Sequence, residues 1–327
     1  MKNFYKKMFA NYSPLFLLFM GLIILGSFSI RSTVEVPIST IGTHAEFLSQ
    51  FGIPKTLITA KPEIYFNVEL LISVAMLILA FFLGKQIAGK TEGLFIAAFM
   101  GFYPYFTSNC YSISNYFWLL FMLYLLFQLK SCFTLYKKWA IFSGVFFTLS
   151  VIANPICLFL GLVPYIYYFI KSRNIAILYN FLFFLLGILI ALSPFMLYVL
   201  LNDKGFSYIL PFRATFSPFA KNFGIFLDGP LDYLKNNILP VITITLAKPS
   251  YYGELNSYSY LHYIIITLSI LGILYTFIEE KIRVVFFIFL AFLIQAFFMP
   301  VNFGLLFMFI IFIGSYMVDK VVHDVFC

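Results

Sequence analysis

The chain has 327 residues, of which 62% are hydrophobic and 10% charged, and it carries a net charge of +8. A water-soluble fold of this size cannot hide so much apolar surface, and the basic residues are scattered over short breaks instead of forming the patch that a nucleic-acid binder needs. The apolar runs are continuous, not alternating, so membrane-crossing helices are expected and a closed barrel is not.

About 20 helical residues cross roughly 30 Å of hydrocarbon, because each rises 1.5 Å. In chain order the candidates are Leu15 to Ile30, Leu70 to Leu83, Leu94 to Phe106, Tyr116 to Leu129, Trp139 to Ala153, Ile156 to Ile170, Ile175 to Leu201, Leu261 to Ile278, Val284 to Met299 and Phe303 to Val318. They predict an all-α, polytopic integral membrane protein of about ten transmembrane helices, with residues 1–327 as one transmembrane domain. Lys2, Lys6 and Lys7 ahead of the first run also fit a secretory signal peptide. The run is long for one, however, and Gly26, Ser27 and Ser29 make a weak cleavage site, so a retained helix is expected.

Thirteen of the 21 basic residues fall on alternate breaks against five acids, whereas the other eight basic residues face eight acids. Basic residues in short loops stay in the cytoplasm, so both chain ends are predicted inside. Two long segments are left outside, residues 31–69 and 202–260. Loops on a rigid scaffold carry function, so an activity is sought in these segments and beneath them. In the first, Thr43, His44, Ala45 and Glu46 form a capping box that should open a short interfacial helix with Phe47, Leu48 and Phe51 on one side and a stop at Gly52 and Pro54. The second is broken by Pro211, Pro218, Pro230, Pro240 and Pro249, and its Tyr251, Tyr252, Tyr258, Tyr260 and Tyr263 read as an aromatic interface belt. Charge within the helices is almost missing: Glu69 stands at an outer helix end and Gln295 is the main buried polar group, which argues against ion-coupled transport. The cysteines show no metal spacing. Cys110 and Cys157 are near outer helix ends, where they could pair, but small apolar fillers are the simpler expectation.

The stretch from Phe82 through Ser114, with Gly84, Lys85, Gly89, Gly93 and Pro104 at its marked places, resembles the second-to-fourth helix region of bacterial GT-C glycosyltransferases. Trp139 to Pro164, with Gly144 and the Asn154-Pro155 pair, is similar to the next helical hairpin of that superfamily. The likeness covers about the first 200 residues. It implies a GT-C-like fold in a bacterial plasma membrane and transfer of a sugar from a polyprenyl-phosphate donor to a lipid, glycan or protein acceptor at the outer face. Alternatives are a lipid-linked glycan flippase and a degenerate, non-catalytic relative.

Such a transfer needs a carboxylate to take the acceptor proton and cations to hold the departing phosphate. Family members place an Asp before the first interfacial helix. Here that stretch holds no acid, which leaves Glu35 upstream as the preferred base and Glu46, already engaged by the capping box, as second choice. Asn115 stands where the family often has Asp, and its amide can bind a hydroxyl or metal but cannot take a proton. Arg31, Lys61 and Arg213 are the expected substrate-binding cations, with the arginine forks suited to phosphate; the simpler reading of Arg31 is a side chain snorkelling at the helix end. No cofactor is expected, with a divalent ion left open; the expected partners are the lipid-linked sugar and membrane lipid.

Overall fold

A computed structural model describes residues 13–32, 62–110, 112, 114–154, 157, 158, 160–172, 175–201, 212–246, 259–276, 280–299 and 302–326. Among these residues the secondary structure is helical and there are no strands. The helices are α1 (Pro14–Ser32), α2 (Pro62–Ile87), α3 (Lys90–Phe102), α4 (Pro104–Ser108), α5 (Ser114–Thr134), α6 (Lys137–Ala153), α7 (Val163–Ser172), α8 (Ile175–Leu201), α9 (Phe212–Asp228), α10 (Pro230–Tyr233), α11 (Leu239–Leu246), α12 (Ser259–Thr276), α13 (Glu280–Phe298) and α14 (Phe303–Phe326), with a π turn, Leu234–Ile238, joining α10 to α11. Five are long and apolar enough to cross a membrane: α1, α2, α5, α8 and α14. The chain is a membrane protein on that evidence.

Breaks fall where the backbone requires them. The run expected from Leu94 to Phe106 is split at Tyr103, because Pro104 cannot continue a helix and instead opens α4. The Asn154-Pro155 pair ends α6 at Ala153, and the helix expected from Ile156 begins only at Val163. Ser13 starts α1 by accepting a 3.2 Å bond from the Phe16 amide, and Asn302 starts α14 by accepting one of 3.1 Å from Leu305. Gly89 turns α2 into α3 with φ 137°, a conformation that side chains resist.

Packing inverts the pattern of a soluble protein. On α1, Leu15, Leu18, Leu22 and Leu25 are exposed, and the buried residues are Ser27 and Arg31. On α14, by contrast, Gly304 through Tyr316 are buried without a break. α14 packs against α12, α3 and α13, while α5 packs against α2 and α6, and α6 against α8. Without a hydrophobic force between helices in lipid, close backbone approach through small residues and polar contacts supplies the attraction. Gly84 and Gly93 bring α2 and α3 together: a Cβ on Gly84 would lie 2.7 Å from the Gly93 Cα. Gly144 and Gly187 join α6 to α8, where a Cβ on either would overlap a carbonyl oxygen of the other helix. Between α5 and α6, Ser143 donates to Gln128, and Asn180 of α8 donates to the Ser131 carbonyl at 3.2 Å.

Helix ends sort into two groups by contact. Lys85 lies within electrostatic reach of Lys130, whose ammonium sits 4.9 Å above the Trp139 ring, while Lys137 caps the Phe183 ring at 5.0 Å. At the other ends, Arg31 meets Met100 and Trp118 donates to Asn302 at 3.3 Å. There α9 and α10 dock on α13: Asn222 and Tyr233 donate to the Phe298 and Phe297 carbonyls at 2.9 and 2.6 Å, satisfying oxygens that the helix end leaves free.

Candidate functional site

Near the junction of α1, α2, α3 and α5 lies a cluster of polar groups removed from the surface. Arg31, Glu69, Ser73, Cys110 and Asn115 are all at or below 1% exposure. Cys110 is its hub, in the turn between α4 and α5. Its carbonyl accepts from the Asn115 amide at 2.6 Å and from the Ser73 hydroxyl at 3.1 Å, and its thiol donates to the Arg31 carbonyl at 3.8 Å. Asn115 also donates to the Asn109 carbonyl at 3.3 Å, so its NH2 group is spent on holding the turn while its Oδ1 accepts no bond among the described residues. The Glu69 carboxylate accepts a hydrogen bond from the Tyr116 hydroxyl. Burial pushes the Cys110 thiol up to about 11, against the Arg31 charge, which favours the thiolate, and with Glu69, which disfavours it.

The guanidinium of Arg31 is held at one corner. Its Nη2 donates to the Met100 carbonyl at 3.3 Å, near the last turn of α3, while Nε and Nη1 are buried with no hydrogen-bond partner among the described residues. Ser27, one turn earlier, donates to Gly101 at 3.0 Å and clamps α1 to the same helix end. A cation at a helix C-terminus gains from the helix dipole, yet that gain is smaller than the hydrogen bonds that Nε and Nη1 do not make among the described residues. Chemically, the forked N–H donors of Arg31 can grip an anionic oxygen, while the Asn115 Oδ1 and the nearby Glu69 carboxylate are acceptors suited to a hydroxyl.

Two of the sequence-derived substrate-binding residues, Arg31 and Asn115, are therefore brought together around Cys110, though Asn115 is committed to the turn. Arg31 does not snorkel; it is buried against α3. Arg213 belongs to α9 and its side chain is not described. Glu35, Glu46 and Lys61, together with the expected interfacial helix after Thr43, lie outside the described residues. Cys110 and Cys157 are both buried and unpaired, as fillers. Among the described residues no group of three His, Cys, Asp or Glu side chains could hold a metal ion.

Glu69 was readable in sequence only as a charge at a helix end, and the rule that charge in a membrane helix marks a site would have promoted it. A second buried contact had no sequence signal: Tyr103 Oη and His262 Nδ1, 2.6 Å apart, join residues 159 positions distant. No known family, characterised protein or solved structure matches the chain.

Proposed function

We propose that the chain is a membrane-embedded glycosyltransferase that moves a sugar from a polyprenyl-phosphate donor to an acceptor hydroxyl at the face of the membrane opposite its lysine-rich helix ends. The observation that carries this reading is the buried Arg31 guanidinium, whose Nε and Nη1 have no hydrogen-bond partner among the described residues. In the reaction, a carboxylate, Glu35 by preference, takes the acceptor proton as the hydroxyl oxygen bonds to the anomeric carbon. The bond from that carbon to phosphate oxygen breaks, and the lipid phosphate leaves with the electron pair. Arg31 binds the growing negative charge on the phosphate, where a fork of N–H donors in a dry site is most effective. Ten spans, both termini in the cytoplasm, a GT-C-like arrangement and a bacterial plasma membrane belong to the same proposal. The partition of helix ends supports it, because α1, α3 and α5 bring their non-lysine ends to one cluster.

The test incubates membranes containing wild type, Arg31→Gln or Glu35→Gln with labelled polyprenyl-phosphate sugars and extracts the products. Wild type should transfer at least one sugar, and each variant should lose about 100-fold or more, the scale of a removed charge-stabilising donor or general base. Undiminished transfer by Arg31→Gln removes the proposed phosphate site, and by Glu35→Gln the proposed base. A second reading, a non-catalytic protein, is favoured by the commitment of Asn115 to the turn and predicts no transfer from any donor.

A further inference from the structure

α7 is ten residues long, about 15 Å of helix, half the hydrocarbon thickness. Its start is level with the middle of α5, because Tyr124 donates to the Leu160 carbonyl at 3.1 Å just before it. Its end is level with the end of α5, where the Phe133 and Tyr168 rings stand 5.8 Å apart. α7 then turns back into α8, and between the two helices runs an open groove of about 360 Å³ whose walls expose no polar atom. Leu162, Ile166, Phe169 and Ile170 form one wall; Leu178 and Phe181 belong to the other. The groove thus starts near mid-membrane and ends at the hairpin, where Lys171 is exposed and Arg173 follows in the sequence. Exposed Lys137 and Lys138 open α6, which runs beside α8.

We infer that this groove binds one acyl chain of an anionic glycerophospholipid of the leaflet at the lysine-rich helix ends, with the phosphate at Lys171. A groove one leaflet deep fits a chain anchored at that surface, and its volume falls within the range of small-molecule sites. Charge complementarity selects the headgroup: basic residues at such a surface attract anionic lipids. A second copy of this chain is a poor occupant, since a copy inserted in the same sense would set its own lysine-rich end against this one. The inference rests on the membrane fold alone and stands whether or not the protein transfers sugars.

The full chain is reconstituted in phosphatidylcholine vesicles containing a trace of phosphatidylglycerol with a photoreactive acyl chain, irradiated, digested and mapped by mass spectrometry. Cross-links should be enriched in residues 162–181 relative to the equally exposed apolar face of α1. A phosphatidylcholine probe, or the Lys171→Gln variant, should lower that yield about fivefold, the factor that one lysine near an anionic surface supplies. Ile166→Trp, which fills the groove from an exposed position, should abolish the enrichment. Even labelling of all lipid-facing helices, equal yields from both probes, or cross-linking of this face to a second copy overturns the inference; the wild-type map decides it even if a variant does not fold.

Discussion

At the residue scale, the expense of Arg31 is its most informative property. Moving a guanidinium out of water costs several kcal/mol, and the one side-chain bond it makes among the described residues, to the Met100 carbonyl, does not return it. Replacing buried ionic groups by well-packed apolar residues of similar volume is often neutral or stabilising, and Arg31 has no paired carboxylate among its hydrogen bonds in the described residues. Arg31→Met is therefore expected to keep or raise Tm while transfer is lost, read by parallel melting and activity assays; a fall of several degrees would make Arg31 a structural clamp. Its neighbour Cys110 gives a second prediction. With its thiol raised to about 11, Cys110 is protonated at pH 8 and should resist alkylation in the folded chain, reacting only after denaturation. Labelling of folded Cys110 at a free thiol's rate contradicts the burial. Sequence reading named Arg31 from its type and place, with phosphate binding and snorkelling both open, and could not foresee its burial because the carbonyl that receives it lies 69 residues away. Asn115 was legible as a polar residue in the right turn, while its commitment to two carbonyls depended on how that turn closes.

At the element scale, the apolar runs foretold helices well, since lipid leaves the backbone no alternative. Their ends were less legible: the apolar stretch near Ile156 reads as continuous, yet Asn154 and Pro155 delay α7 and leave it half a membrane long. The glycines that suggested a family resemblance, Gly84, Gly93 and Gly144, also have a packing role here, allowing helix backbones to touch. Gly144→Ala should force α6 from the Phe184 carbonyl and cost about 1–3 kcal/mol, whereas Gly21→Ala, with open space around it, should be neutral or slightly stabilising. Thermal melts in nanodiscs check the pair; equal effects at the two positions would refute the contact between α6 and α8. The buried Gln128 and Ser143 pair was hidden in an apolar run, because a neutral amide gives no charge signal to read.

At the scale of the whole molecule, two kinds of helix end define the function proposed. One set gathers Lys85, Lys130, Lys137 and Trp139; the other gathers Arg31, Cys110, Asn115 and the docked α9 and α10. Charge spacing along the chain predicted such a division, since lysines retained on one side would leave a periodic trace, and the contacts among Lys85, Lys130 and Trp139 agree with it. The sidedness is tested most directly by single cysteines placed at Lys55, Lys204, Lys138 and Lys171, in a chain whose four native cysteines are replaced by alanine, and treated in intact cells with a membrane-impermeant maleimide. Labelling at positions 55 and 204 from outside, and at 138 and 171 only after permeabilisation, is the expected result. Positions 55 and 171 labelled from the same side would contradict the topology, and with it an Arg31 site facing away from the lysine-rich surface.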